Sequence, residues 1–164
     1  MTDILTIKNG RKVVNNGMNE EKVLLDEINL TIREGDFITV LGGNGAGKST
    51  LFNTIAGTLQ LSQGSISFKD QLITKDSEEK RARFLSRVFQ DPKMGTAPRM
   101  TVAENLLLAQ KRGQKRKFRL RNLKNQKEDF FRLCQEVGNG LEQHLDTPAG
   151  ELSGGQRQAL SLLM

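Results

Sequence analysis

Residues 40–50, "VLGGNGAGKST", constrain this chain more than any other stretch. Gly42-x-x-x-x-Gly47-Lys48-Ser49 fills every fixed position of the phosphate-loop pattern. Phosphates crowd the main chain there, so Gly42, Gly43, Gly45 and Gly47 keep side chains minimal and permit positive φ. Successive amides from Asn44 through Ala46 to Thr50 would then form an anion nest at a helix N-terminus. In that arrangement Lys48 places a point charge near the β- and γ-phosphates. The Ser49 hydroxyl ligates Mg²⁺, and Thr50 bonds the α-phosphate. The competing reading, a glycine-rich hairpin turn with a chance Lys-Ser, does not account for the flanks. An apolar run, "FITVL", precedes the loop, and Leu51, Ile55 and Leu59 follow at helical spacing. The loop itself leaves open which nucleotide binds and what reaction follows.

The rest of the chain supplies an α/β frame. Leu5 and Ile7, then Ile28, Leu30 and Ile32, alternate as half-buried strands do, with "VVNNGMNEEK" between them as a polar loop. "FITVL" is expected as a strand buried inside a mixed sheet, "GSISF" as another, and "LSRVFQ" as a third. The helix after the loop ends near Gly57. "DSEEKRARF" reads as a short helix capped by Ser77 or Asp76. "TVAE" has capping-box spacing, with Thr101 as cap and Glu104 reaching back. A helix follows to about Gly113, then a basic and amphipathic helical stretch to about Val137, closed by Gly138 or Gly140.

Bulk properties fit a single globular domain of 164 residues, 36% hydrophobic, with no apolar run long enough to span a bilayer. The N-terminus lacks the basic and apolar regions of a secretory signal. The one cysteine, Cys134, lies at helical spacing from Phe130, Phe131 and Val137, which points to a buried, inert thiol in a reducing compartment. The net charge of +6 is concentrated in Lys111 to Lys127, which holds nine basic residues and no acid. That block reads first as a solvated segment. Phe118 alone gives no aromatic ladder for stacking bases, so nucleic acid is not an expected partner.

The end of the chain narrows the class. "LSGGQRQ", Leu152 to Gln158, together with "RVFQDP" about forty residues after the phosphate loop, resembles the ATP-binding-cassette family across essentially the whole chain. The resemblance implies a P-loop NTPase core with N-terminal antiparallel strands, plus an α-helical subdomain. Residues 1–90 would be core, 91–150 the helical subdomain, and 151–164 the signature motif and the start of its helix. It further implies ATP and Mg²⁺ as ligands, with Ser49 and Gln90 serving the metal and Gln90 also orienting the attacking water. Leu152, Ser153, Gly154, Gly155 and Gln156 would close over ATP held by a second cassette in a head-to-tail dimer. Residue chemistry agrees, since Ser153 can cap a helix whose first amides the two glycines leave uncovered. The stretch from "FQDPKMG" to "AQKRG" is most similar to importer ATPases for binding-protein-dependent uptake, some of them assigned to aromatic amino acids. Transmembrane permease subunits and an extracytoplasmic solute-binding protein are then the implied partners. The implied location is cytoplasmic, peripheral on the inner face of the cell membrane.

Two departures from the family pattern carry expectations. The family stacks adenine on an aromatic soon after the first strand. Here "NGRKVVNNG" has none and the chain has no Tyr or Trp, so Val13 or Val14 would supply an apolar face and base selectivity would weaken. The family also continues past the signature helix with a Walker-B Asp, a catalytic Glu, a D-loop and a switch histidine. His144 precedes the signature and is expected to be a partly exposed loop residue. The fold is therefore expected to be incomplete at its C-terminus, binding ATP but hardly hydrolysing it. Alternatives are a soluble cassette acting on ribosomes or nucleic acid, for which the basic block speaks, or a non-hydrolytic nucleotide-binding protein.

Overall fold

The structure, a computed structural model, describes residues 2–15, 21–114, 123 and 125–164. The chain divides into two compact units, Met1–Leu85 and Ser86–Met164.

The first unit is built on an antiparallel sheet of β1 (Asp3–Asn15), β2 (Glu21–Arg33), β3 (Gln63–Phe68) and β4 (Gln71–Leu72), in the order β2-β1-β3-β4. Alternation sets its register: Leu5 faces Ile32 and Phe68, and Ile7 faces Leu30 and Ile66. Those side chains form the core with Ile73, and α1 (Lys48–Ala56) covers them with Leu51 and Ile55. Gly57, at φ 89°, stops α1 by donating to the Asn53 and Thr54 carbonyls. A short α2 (Glu78–Arg81) follows Ser77, whose hydroxyl makes no capping bond.

Arg81 is the largest fully buried side chain of the described residues. Its guanidinium donates to five backbone carbonyls: Thr54 and Ile55 at the end of α1, and Ile73, Thr74 and Asp76 beyond β4. Burial holds its pKa below the ordinary arginine value, while Asp76 pulls the other way. Five planar donors match this cage, and a lysine has only three.

Three sequence expectations are corrected here. The loop expected over "VVNNGMNEEK" is shorter, because β1 runs to Asn15 and β2 starts at Glu21. Residues 37–41 form no strand: Phe37 is 95% and Leu41 86% exposed. Strand character is realised only in a ladder, and among the described residues nothing pairs with this run. Residues 85–90 are likewise without strand structure, so the described sheet is wholly antiparallel.

The second unit is helical, with α3 (Val102–Gln110), α4 (Lys127–Gln135) and α5 (Gly154–Leu163) around one core. Val102, Leu106, Phe130, Cys134, Leu141, Ala149 and Leu160 are each at most 2% exposed. Burying side chains of the Val, Leu and Phe class contributes about 1.5–3 kcal/mol each. The capping box at α3 is complete: Thr101 Oγ1 accepts from Glu104 N at 3.2 Å, and Glu104 Oε2 accepts from Thr101 N at 3.0 Å. α3 ends at Gln110, with turns to Gln114, so Gly113 lies past the helix end. The expected basic helix falls largely on residues outside those described. Cys134 is buried as expected, and burial with help from Glu142 pushes its pKa from 9.0 up to about 11. His144 is partly exposed, at the end of a 3-10 turn, with Nδ1 3.4 Å from Thr147 Oγ1.

Candidate functional site

The phosphate loop leads directly into α1. Leu51 N is the first donor of the helix, to Gly47 O at 2.8 Å, so the amides of Lys48, Ser49 and Thr50 head α1 without an intrahelical acceptor. Gly47, at φ 85°, is the N-cap and lends no side chain to those amides. A Cβ there would meet the Leu24 carbonyl at 2.8 Å and Leu25 Cδ2 at 3.3 Å. Only glycine allows β2 to close on the loop at this point. Gly45 also has positive φ, whereas Gly43 faces open space without it. The Gly43 carbonyl accepts from Ala46 N at 3.3 Å.

Lys48 spans the loop. Its Nζ donates to Gly42 O at 2.5 Å and Gly43 O at 2.7 Å, tying the last loop residue to the first two. Among the described residues no carboxylate pairs with it. Asn44, Ala46 and Ser49 are exposed, and Thr50 is half-buried. Uncovered amides at a helix head, a cation and two hydroxyls make a donor set that fits a polyphosphate. No group of three His, Cys, Asp or Glu residues among those described could hold a metal. A Mg²⁺ ion bound with the phosphates would have the Ser49 hydroxyl beside it.

Gln90 and the "LSGGQ" segment belong to the second unit. Gln90 is exposed, on the bend before a 3-10 turn over Pro92–Gly95 that Asp91 caps through Lys93 N at 2.9 Å. That turn lies on α5, where a Cβ at Gly95 would be 2.7 Å from Ser161 Oγ. Ser153 caps α5 as expected: its Oγ accepts from Gln156 N at 3.3 Å, and Gln156 Oε1 accepts from Ser153 N at 3.2 Å. Gln156 is thus held in its own helix cap, an arrangement that the Ser-x-x-Gln spacing encodes. Gly154 and Gly155 are exposed with nothing near their Cβ positions, whereas Leu152 is buried in the core.

Two side chains that the sequence reading missed set the backbone here. Arg157 donates to the carbonyls of Ala149 at 3.0 Å and Gly150 at 2.6 Å, bracing the turn before the signature. Asn105, fully buried, accepts from Ala97 N and donates to the carbonyls of Ala97, Met100 and Thr101. A basic residue after a cap gives a weak hint of the first. Nothing in the spacing marks the second.

A phosphate nest on a strand-rich unit, with a capped glycine-rich helix start on a helical unit, defines a P-loop NTPase of the cassette type. The chain belongs to the ABC transporter family, whose profile matches residues 25–164. It is 40% identical over 161 residues to the tyrosine transport ATP-binding protein of Clostridioides difficile (strain R20291), covering 98% of this chain and 64% of that protein. It is 34% identical over 144 residues to the spermidine/putrescine import ATP-binding protein PotA of Haemophilus ducreyi, covering 87% of this chain and 35% of PotA. The ADP conformation of MJ1267, an ATP-binding cassette of an ABC transporter, superposes with a TM-score of 0.74 at 28% identity, covering 99% of this chain and 64% of that one. The chain thus spans just under two thirds of the tyrosine transport protein and of the MJ1267 cassette, and about a third of PotA. Among the described residues no helix is long and apolar enough to cross a membrane.

Proposed function

We propose that this chain is the nucleotide-binding portion of the ATP-binding subunit of an uptake transporter. The observation that carries this reading is the head of α1, where the amides of Lys48, Ser49 and Thr50 have no intrahelical acceptor and the loop glycine Gly47 leaves them without a side-chain cap. ATP with Mg²⁺ is the ligand. Ser49 is the metal's hydroxyl ligand, and Gln90 supplies a side-chain oxygen to the metal and orients water.

Relatives named for import support the transport assignment, and the tyrosine transport protein supports an amino acid as cargo. The Leu152–Gln156 segment, with exposed glycines at a helix head, serves ATP held by a second cassette. Transmembrane permease subunits, with this chain peripheral on the inner face of the membrane, and an extracytoplasmic solute-binding protein complete the system.

Titration calorimetry of the chain with Mg²⁺-ATP tests the reading. Saturable binding is expected, weakened at least roughly tenfold in Lys48→Ala through loss of charge-assisted bonds. Equal affinity for both proteins would sink it.

A further inference from the structure

Three Asn-Gly pairs lie within the described residues, at 9–10, 44–45 and 139–140, and a fourth, at 16–17, lies outside them. An asparagine before glycine can lose its side-chain amide, because glycine leaves its own nitrogen unhindered for attack on the neighbouring side-chain carbonyl. The reaction needs a free glycine amide and room for the succinimide ring. Asn9 lacks the room: Gly10 is buried within β1 opposite Ile28, and a Cβ there would meet Ile7 Cγ2 at 2.8 Å. Asn139 is tethered, since its Oδ1 accepts from Leu141 N at 3.2 Å and its Nδ2 donates to Gly155 O at 3.4 Å. Asn44 and Gly45 are instead the exposed central residues of a turn that Ala46 N closes onto Gly43 O. Among the described residues neither the Asn44 side chain nor the Gly45 N–H has a hydrogen-bond partner, and nothing lies within 4 Å of a Cβ at Gly45.

We propose that Asn44 is a modification site: spontaneous deamidation there silences nucleotide binding, and bound nucleotide protects against it. The Gly45 nitrogen attacks Asn44 Cγ; the N–Cγ bond forms, the Cγ–Nδ2 bond breaks, and ammonia leaves with the amide proton. Water then opens the succinimide at either carbonyl, giving aspartate or isoaspartate with no change of oxidation state. Either product sets a carboxylate in the loop that Lys48 spans, against the charge of a polyphosphate. Isoaspartate also lengthens the main chain ahead of the α1 amides, which shifts the nest. Protection rests on the nucleotide-binding reading above: phosphates engaging the Gly45 N–H remove the attacking nitrogen, so only the nucleotide-free loop reacts.

Tryptic mapping of the intact chain, aged at mildly alkaline pH with and without Mg²⁺-ATP, tests the proposal. Cleavage at Arg33 and Lys48 yields a peptide, 34–48, whose single asparagine is Asn44. Conversion is expected there at least roughly tenfold faster than at Asn9 or Asn139. ATP at roughly a hundred times its Kd should slow it about a hundredfold. Calorimetric ATP-binding capacity should fall in step with conversion, and Asn44→Asp should bind at least roughly tenfold more weakly than fresh wild type. Conversion at Asn9 or Asn139 as fast as at Asn44 overturns the site. Wild-type affinity in Asn44→Asp, with capacity that survives conversion, overturns the silencing. Conversion that saturating ATP leaves unslowed overturns the protection. If fresh protein binds no ATP, the nucleotide-binding reading has failed and takes silencing and protection with it, while the mapping still decides the site.

Discussion

Arg81→Met removes the five-carbonyl cage at nearly constant volume. Two of the five acceptors keep a second donor, Thr54 O from Gly57 N and Ile73 O from Asp76 N. Ile55 O, Thr74 O and Asp76 O lose their guanidinium donor with no other backbone donor among the described residues. These three bonds are part-buried, so each unpaired acceptor costs about 1 kcal/mol, the low end for a buried group, and the three together about 3 kcal/mol. For a chain of this size each kcal/mol is worth about 2–4 °C, which places the fall in melting temperature at about 6–12 °C. Differential scanning fluorimetry of the wild type, Arg81→Met and Arg81→Lys reads this directly. Arg81→Lys should fall between the other two, because one ammonium satisfies some of the acceptors. A drop below about 3 °C for Arg81→Met would show that water or a backbone shift satisfies the carbonyls, and the cage argument would be wrong.

Two further outcomes follow from single contacts. Gly47→Ala costs about 1–2 kcal/mol for its left-handed backbone and drives a methyl into the Leu24 carbonyl, so ATP affinity should fall at least roughly tenfold by calorimetry. Cys134 gives a pH signature: its folded pKa is raised to about 11, so below pH 9 its contribution to stability is fully present. Between pH 9 and 11 the unfolded thiol ionises first, and stability should fall by up to about 3 kcal/mol. Urea titrations across that range should show the loss, and Cys134→Ala should remove it.

What the sequence disclosed was chemistry with local spacing. The phosphate loop, the capping boxes at Thr101 and Ser153, and the alternation of Leu5, Ile7, Ile28, Leu30 and Ile32 depend on neighbours within a few residues or on a two-residue period. Each has a counterpart in the structure. The expectations that failed depended on partners distant in the chain. "FITVL" has strand propensity, yet Phe37 and Leu41 stand in solvent because a strand needs a ladder. Arg81 and Asn105 were illegible for another reason, since their partners are backbone groups that no residue type advertises.

The central claim is that a polyphosphate is held by the amides heading α1. Backbone amide NMR of the chain titrated with Mg²⁺-ATP tests it most directly. The largest shifts should fall on Gly45, Gly47, Lys48, Ser49 and Thr50, and the same titration of Lys48→Ala should show them weakened or gone. Shifts concentrated elsewhere, or none at saturating ATP, would contradict the account.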